Sequence, residues 1–234
     1  MNLIFLDTET TGNDMVKDRL CQVCYKLDDK FHVGFFKPPI PMSVKSMSIT
    51  HITNKQLVDK ESFGESKFKK ELQNELDEGI LVAHNAKFDI AMLKSEGMNI
   101  PKHICTLRVA RFLDSENKIP EYNLQFLRYY LDLDIEAFAH DAEGDVKVLC
   151  AVFERLRAKM KEKFGDLDPI PKMIEISGIP TMFNSFNFGK HKDKKIKDVV
   201  LSDRGYLEWL LRQKILDGGD DEDWIFTLKT YLGV

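Results

Sequence analysis

Asp7 and Glu9, in the run FLDTETTG (residues 5–12), alternate with Thr8 and therefore project from the same side of an extended backbone. Two carboxylates held side by side repel each other. A shared divalent cation relieves that repulsion, and oxygen ligands suit Mg2+ or Mn2+. Taken alone, the octapeptide fits a solvated strand end equally well. Two further acids change the balance. Asp89, in LVAHNAKFD, falls in the first turn or so of a helix that follows a buried strand, and Asp145, in AHDAEGDVKVL, falls near the start of a long helix. Singly, each reads as an acid that favours a helix N-terminus. Together, acidic clusters at the ends of elements point to a ligand-binding rim of the kind α/β architectures build. His140 precedes Asp145 by five residues, too wide for one helical face, which assigns it to the lead-in loop. An imidazole beside metal-bound carboxylates can take a proton from water near neutral pH.

The elements that must position these residues are legible as patterns. Residues 2–6 (NLIFL) read as a buried strand feeding the acidic run, and LCQVCYKL and FHVGFF as two strands of a hairpin or meander. Residues 38–57, rich in turn formers, read as a surface loop, and SFGESKFKKELQNELDE as a helix with Phe68, Leu72 and Leu76 on one face. GILVAHN is a second strand running into a polar end, followed by a helix that Gly97 can cap. HICTLRVARFL reads as a short strand or a helix start, NLQFLRYYLDL as a short helix, and residues 141–164 as a long helix with Leu149, Phe153 and Leu156 on its apolar stripe. The order of elements predicts an α/β fold, a mixed central sheet flanked by helices. Three prolines and two glycines in the segment that begins at Gly165 mark a linker with at most one short helix. This divides the chain into a domain over 1–165, a linker over 166–182 and a small C-terminal α+β module over 183–234.

FLDTETTG, HNAKFD and HDAEGD together resemble the three motifs of the DEDDh exonucleases, in order and with the H-x4-D spacing of that branch. The resemblance implies a ribonuclease H-like fold and 3'-to-5' hydrolysis of nucleic acid to nucleoside 5'-monophosphates. It implies two Mg2+ ions, with Mn2+ able to substitute, held by Asp7, Glu9, Asp89 and Asp145, and His140 as general base. Thr10 and Thr11 are expected to meet the terminal nucleotide. Asn85 either orients substrate or serves as an ordinary turn former.

The tail segment FNFGKHKDKKIKDVVLSDRGYLEWLL resembles the C-terminal region of exodeoxyribonuclease X-like enzymes, with Asp193 where glycine is common. That implies DNA, single-stranded or at 3' ends, as the partner. RNA stays open, because nothing in a carboxylate site separates the two, and so does a role as a polymerase-associated proofreading subunit. Lys190, Lys192, Lys194 and Lys195 are candidate phosphate contacts, although a lysine run is also an ordinary solvated turn. Phe186, Phe188, Tyr206 and Trp209 could stack on bases or build the small module's core; Tyr206 and Trp209 are assigned to the core.

Composition sets the limits. The 234 residues carry a net charge of -4, from 34 Lys and Arg against 38 Asp and Glu, so there is no global cationic field. Hydrophobic residues at 43% and charged residues at 31% exclude a disordered chain. No apolar run reaches the roughly 18 residues of a membrane span, and the four cysteines are too sparse for a disulfide framework, which predicts a cytoplasmic protein with no membrane partner. Cys21 and Cys24 lie three apart in a strand, point to opposite faces and read as ordinary half-buried thiols. No heptad pattern predicts an oligomer, and the oligomeric state is left open.

Overall fold

The computed structural model describes residues 2–116, 118–135, 142–165, 167–217 and 221–234. The chain forms two compact units, residues 1–107 with 123–158, and residues 108–122 with 159–234.

The first unit is built on a five-stranded sheet of β1 (Leu3–Thr10), β2 (Leu20–Leu27), β3 (Lys30–Phe35), β4 (Ile80–Ala83) and β5 (His103–Cys105), in the order β3-β2-β1-β4-β5. β1 pairs antiparallel with β2 and parallel with β4, so the expected mixed sheet is present with β1 at its centre. Strand alternation then sorts β1 between two helical layers. Ile4 and Leu6 pack with Leu72 and Leu76 of α3 (Lys67–Glu78) and Met92 and Leu93 of α4 (Lys87–Ser95). Phe5 faces the other way, among Cys24 and the Ala142, Val146 and Cys150 side chains of α7 (Ala142–Phe164). Its ring meets that of the fully buried Phe153 edge-on at 5.2 Å.

Between β3 and α3 the expected surface loop instead contains two short helices, α1 (Val44–Thr50) and α2 (Asn54–Leu57). The prolines before residue 42 obscure them, yet their caps are written in the sequence. Ser43 accepts from the Ser46 amide, and Thr53 and Gln56 form a reciprocal capping box. These helices cover Cys21, which packs with Met42, Ile52 and Leu57, whereas Cys24 lies in the α7 layer. The two cysteines thus occupy different faces as expected, fully buried, and burial pushes the Cys21 thiol up to about 12. HICTLRVARFL is both things the pattern allowed, β5 followed directly by α5 (Thr106–Leu113). The side chain of Asn123 caps α6 (Leu124–Tyr130).

The second unit contains α8 (Ile170–Ser177), α9 (Ile196–Ser202), α10 (Arg204–Leu216) and α11 (Glu222–Leu232) around a core of Phe183, Phe186, Ile196, Leu207, Trp224 and Leu228. Among the described residues its β content is one antiparallel bridge, Ser185 to Lys195. Residues 108–122, read from sequence as part of the first domain, group here for a physical reason. Arg108 pairs with Glu222 at 2.6 Å and donates to the Ser177 carbonyl, and Arg111 pairs with the buried Asp223. Asp223 also accepts from the Thr181 amide at 2.8 Å, so no buried charge is left unmatched there. Among the described residues no helix is long and apolar enough to cross a membrane.

Candidate metal centre

β1 delivers Asp7 and Glu9 to the face that carries Phe5, and the packing of Ala142 and Val146 on that face brings the first turn of α7 over the strand. Asp145, in that turn, thereby meets the two strand acids. Asp7, Glu9 and Asp145 each present a carboxylate oxygen within 4.8 Å of the others. Asp145 is 8% exposed, and the Gln125 side-chain amide of α6 donates to its Oδ1 at 2.6 Å. Gln125 in turn accepts from Arg128 at 3.3 Å. Gln125 had no signal in the sequence: the Asn123 cap predicts its helix, but nothing there points to Asp145.

Asp89 is placed differently. It sits in the first turn of α4, 4% exposed, and accepts a hydrogen bond from the Thr8 hydroxyl at 2.8 Å. Thr8 points to the side of β1 opposite Asp7 and Glu9, and Asp89 is not within the group of three. Burial pushes its carboxyl up to about 7, against the opposing effect of the Thr8 hydrogen bond.

The loop after Glu9 is fixed by its own hydrogen bonds. Thr10 donates to the Gly12 carbonyl at 2.5 Å, and Thr11 donates to Asp18 at 2.7 Å while accepting from the Arg19 amide at 3.1 Å. The Thr11 amide is also engaged, with the Arg19 carbonyl at 3.0 Å. A Cβ on Gly12 would run into the Asp18 carboxylate, so the close approach requires glycine. Asn85 is exposed at φ 58° in the turn between β4 and α4, where its carbonyl accepts from the Phe88 amide at 2.9 Å. Its neighbour His84 shares a hydrogen bond with the Thr106 hydroxyl at 2.9 Å. His140 lies outside the described residues.

The lysine turn belongs to the second unit. Lys190 pairs with Asp203 at 2.7 Å and Lys195 with Glu116 at 3.2 Å, while Lys192 and Lys194 are exposed and make no ion pair among the described residues. Lys190 and His191 both hydrogen-bond Asp203 and hold its carboxyl down at about 2. Asp193 takes φ 67°, the left-handed conformation its glycine-like position demands. Phe186 is buried and Tyr206 packs against the core, but Trp209 is 50% exposed, which corrects its assignment to the core. On α10, Leu207, Leu210 and Leu211 take the inner face, and Trp209 is left on the outer one.

The exonuclease family model matches residues 4–153, and a model of exodeoxyribonuclease X-like C-terminal segments matches residues 186–214. The chain is similar to exodeoxyribonuclease 10 of Escherichia coli strain K12, at 29% identity over 201 residues that cover 84% of this chain and 82% of that protein. It is similar to the DNA polymerase III epsilon subunit of Treponema pallidum, at 30% identity over 174 residues covering 68% of this chain and 78% of that protein. Among solved structures, exonuclease X in complex with 5' overhanging duplex DNA aligns with a TM-score of 0.59 at 23% identity, covering 75% of this chain and 99% of that one. That likeness speaks to the fold, a ribonuclease H-like mixed sheet between helices. The matched family segment contains Asp7, Glu9, Asp89 and Asp145, and the chain belongs to the exonuclease family.

Proposed function

We propose that this protein is a divalent-metal-dependent 3'-to-5' exodeoxyribonuclease that releases nucleoside 5'-monophosphates from single-stranded DNA or from duplex 3' ends. The observation that carries the reading is the approach of Asp7, Glu9 and Asp145 to within 4.8 Å of one another. An all-carboxylate donor set of this kind fits a hard divalent cation. Asp7, Glu9 and Asp145 would hold one Mg2+ and Asp7 with Asp89 a second, with Mn2+ able to substitute. Bound there, the ions would polarise the scissile phosphate and lower the pKa of the attacking water.

The chain's own groups do the rest. His140 takes the proton from the attacking water. Gln125 fixes the orientation of Asp145 through its side-chain amide. Thr10 and Thr11 shape the loop beside Glu9, and Asn85, exposed at its turn, is available to a substrate phosphate. Deoxyribose specificity is supported by the similarity to exodeoxyribonuclease 10 and by the match of the tail to its C-terminal type. The proposed division into a nuclease region and a C-terminal module is supported by two separate family matches, over residues 4–153 and 186–214.

The test is digestion of 5'-labelled single-stranded DNA, duplex DNA and RNA with and without Mg2+. The expected result is a ladder shortened from the 3' end of single-stranded DNA, only with metal, with mononucleotides as product. Preferential degradation of RNA would replace the substrate assignment with an exoribonuclease of the same chemistry.

A further inference from the structure

The second unit carries a feature that the metal centre does not use: a half-exposed tryptophan beside a lysine turn. We propose that Trp209, together with Lys192 and Lys194, forms a contact for single-stranded nucleic acid, the indole stacking on a base and the lysines meeting phosphates. The choice of partner rests on the nuclease reading above.

Charge is the first argument. Residues 186–214 contain eight Lys and Arg against four Asp and Glu, while the whole chain is at -4. The cationic surplus is therefore local. Lys190 and Lys195 are engaged by Asp203 and Glu116, whereas Lys192, Lys194 and Lys197 are exposed and make no ion pair among the described residues; of these, Lys192 and Lys194 lie nearest in sequence to His191. Such a patch suits a polyanion, whereas the centre of a protein–protein interface is depleted of lysine.

The ring system supports the same contact. Trp209 is 50% exposed although α10 buries Leu207, Leu210 and Leu211 in the module core, so its outward position is set by the helix register and not by a lack of core. One side of the indole rests on Tyr206, with ring centroids 5.6 Å apart, and Tyr206 meets His191 of the lysine turn at 4.8 Å. His191 is itself buried and hydrogen-bonded to Asp203 at 2.9 Å. The indole is thus tied through Tyr206 and His191 to the turn that carries the lysines, and half of the residue's surface is open. Arg212, one helical turn on and exposed, adds a cation to the same side of α10. A fixed aromatic face among cations is how proteins bind single strands without reading sequence. In a duplex the base faces are already stacked on each other, so the indole selects unpaired bases.

The experiment uses the full-length protein in chelator, so that nothing is cut, titrated with an oligo-dT of about 20 nucleotides. The chain has two tryptophans, the buried Trp224 and the half-exposed Trp209, and the signal that disappears in Trp209→Phe is the part that reports Trp209. The expected result is quenching on binding, with Trp209→Ala weakening affinity about tenfold by anisotropy while the salt dependence keeps its slope. Trp209→Phe should retain most of the affinity and lose the quenching, which separates stacking from damage to the fold. Lys192→Ala with Lys194→Ala should instead reduce the salt slope. Absence of quenching, together with wild-type affinity in Trp209→Ala, would overturn the proposal. Metal-dependent cutting by the same preparation tests the nuclease reading separately: cutting without quenching removes this contact alone, and quenching without cutting removes that reading alone.

Discussion

The Thr8 hydroxyl donates to the Asp89 carboxylate at 2.8 Å, which ties the fourth acid of the set to the strand that carries the first two. One face of β1 presents Asp7 and Glu9, and the other anchors Asp89, so both sides of a single strand organise the acids. Thr8→Val keeps the shape and removes the donor. A hydrogen bond to a charged group contributes about 1.5–3 kcal/mol, and urea unfolding in chelator at pH 8 should show a loss in that range. An unchanged midpoint would mean that the bond contributes nothing to the fold.

The burial of Asp89 predicts a pH dependence for the metal-free protein. Below about pH 4 the carboxyl is neutral in both the folded and the unfolded chain and costs nothing. Between there and its folded value of about 7, the unfolded state ionises first, so stability falls as pH rises. Asp89→Asn removes this titration. In chelator, the melting temperature of the variant relative to wild type should therefore climb from pH 5 to pH 8, and a constant difference would contradict the raised value.

Gln125 is expected to act through Asp145. Loss of a partner that orients a metal ligand typically weakens metal affinity by 10–100-fold. Gln125→Leu, measured by calorimetric titration with Mn2+ in the absence of substrate, should weaken binding by at least the lower of these factors while the far-ultraviolet spectrum is unchanged. Wild-type affinity would show that the 2.6 Å hydrogen bond leaves the metal site unaffected.

What the sequence displayed and what it concealed divide along physical lines. The alternation of Asp7, Thr8 and Glu9 and the strand before them needed only local geometry, and both were legible. Asp145 was legible as a site acid, but the reason it reaches Asp7 is the burial of Ala142 and Val146 against Phe5 and Cys24, a long-range contact with no local signature. The same applies to Gln125, whose partner lies twenty residues away. Residues 108–122 lie within the matched exonuclease segment yet group with the second compact unit, because the Arg108–Glu222 and Arg111–Asp223 pairs span more than a hundred residues. Trp209 was misread because a tryptophan in a small helical module is ordinarily core, and only the register of α10 turns it outward.

The lysine turn should respond oppositely at its two left-handed positions. Asp193 holds φ 67°, a conformation that costs a non-glycine residue up to about 1–2 kcal/mol, and Asp193→Gly should raise stability by up to about 1 kcal/mol. Gly189 has φ 68°, and a Cβ there would stand 2.8 Å from the Tyr206 hydroxyl, so Gly189→Ala should destabilise the protein. Thermal melts of the two variants check the signs, and a shift in the same direction for both would exclude this account of the turn.

The nuclease reading stands on Asp7, Glu9 and Asp145 forming its metal site. Its most direct test is Asp7→Ala assayed on 3'-labelled single-stranded DNA across a Mg2+ titration, with melting temperature and circular dichroism recorded on the same sample. Metal-dependent release of labelled mononucleotide should be abolished at every Mg2+ concentration while the fold is retained. Release at the wild-type rate from the folded variant would contradict that reading.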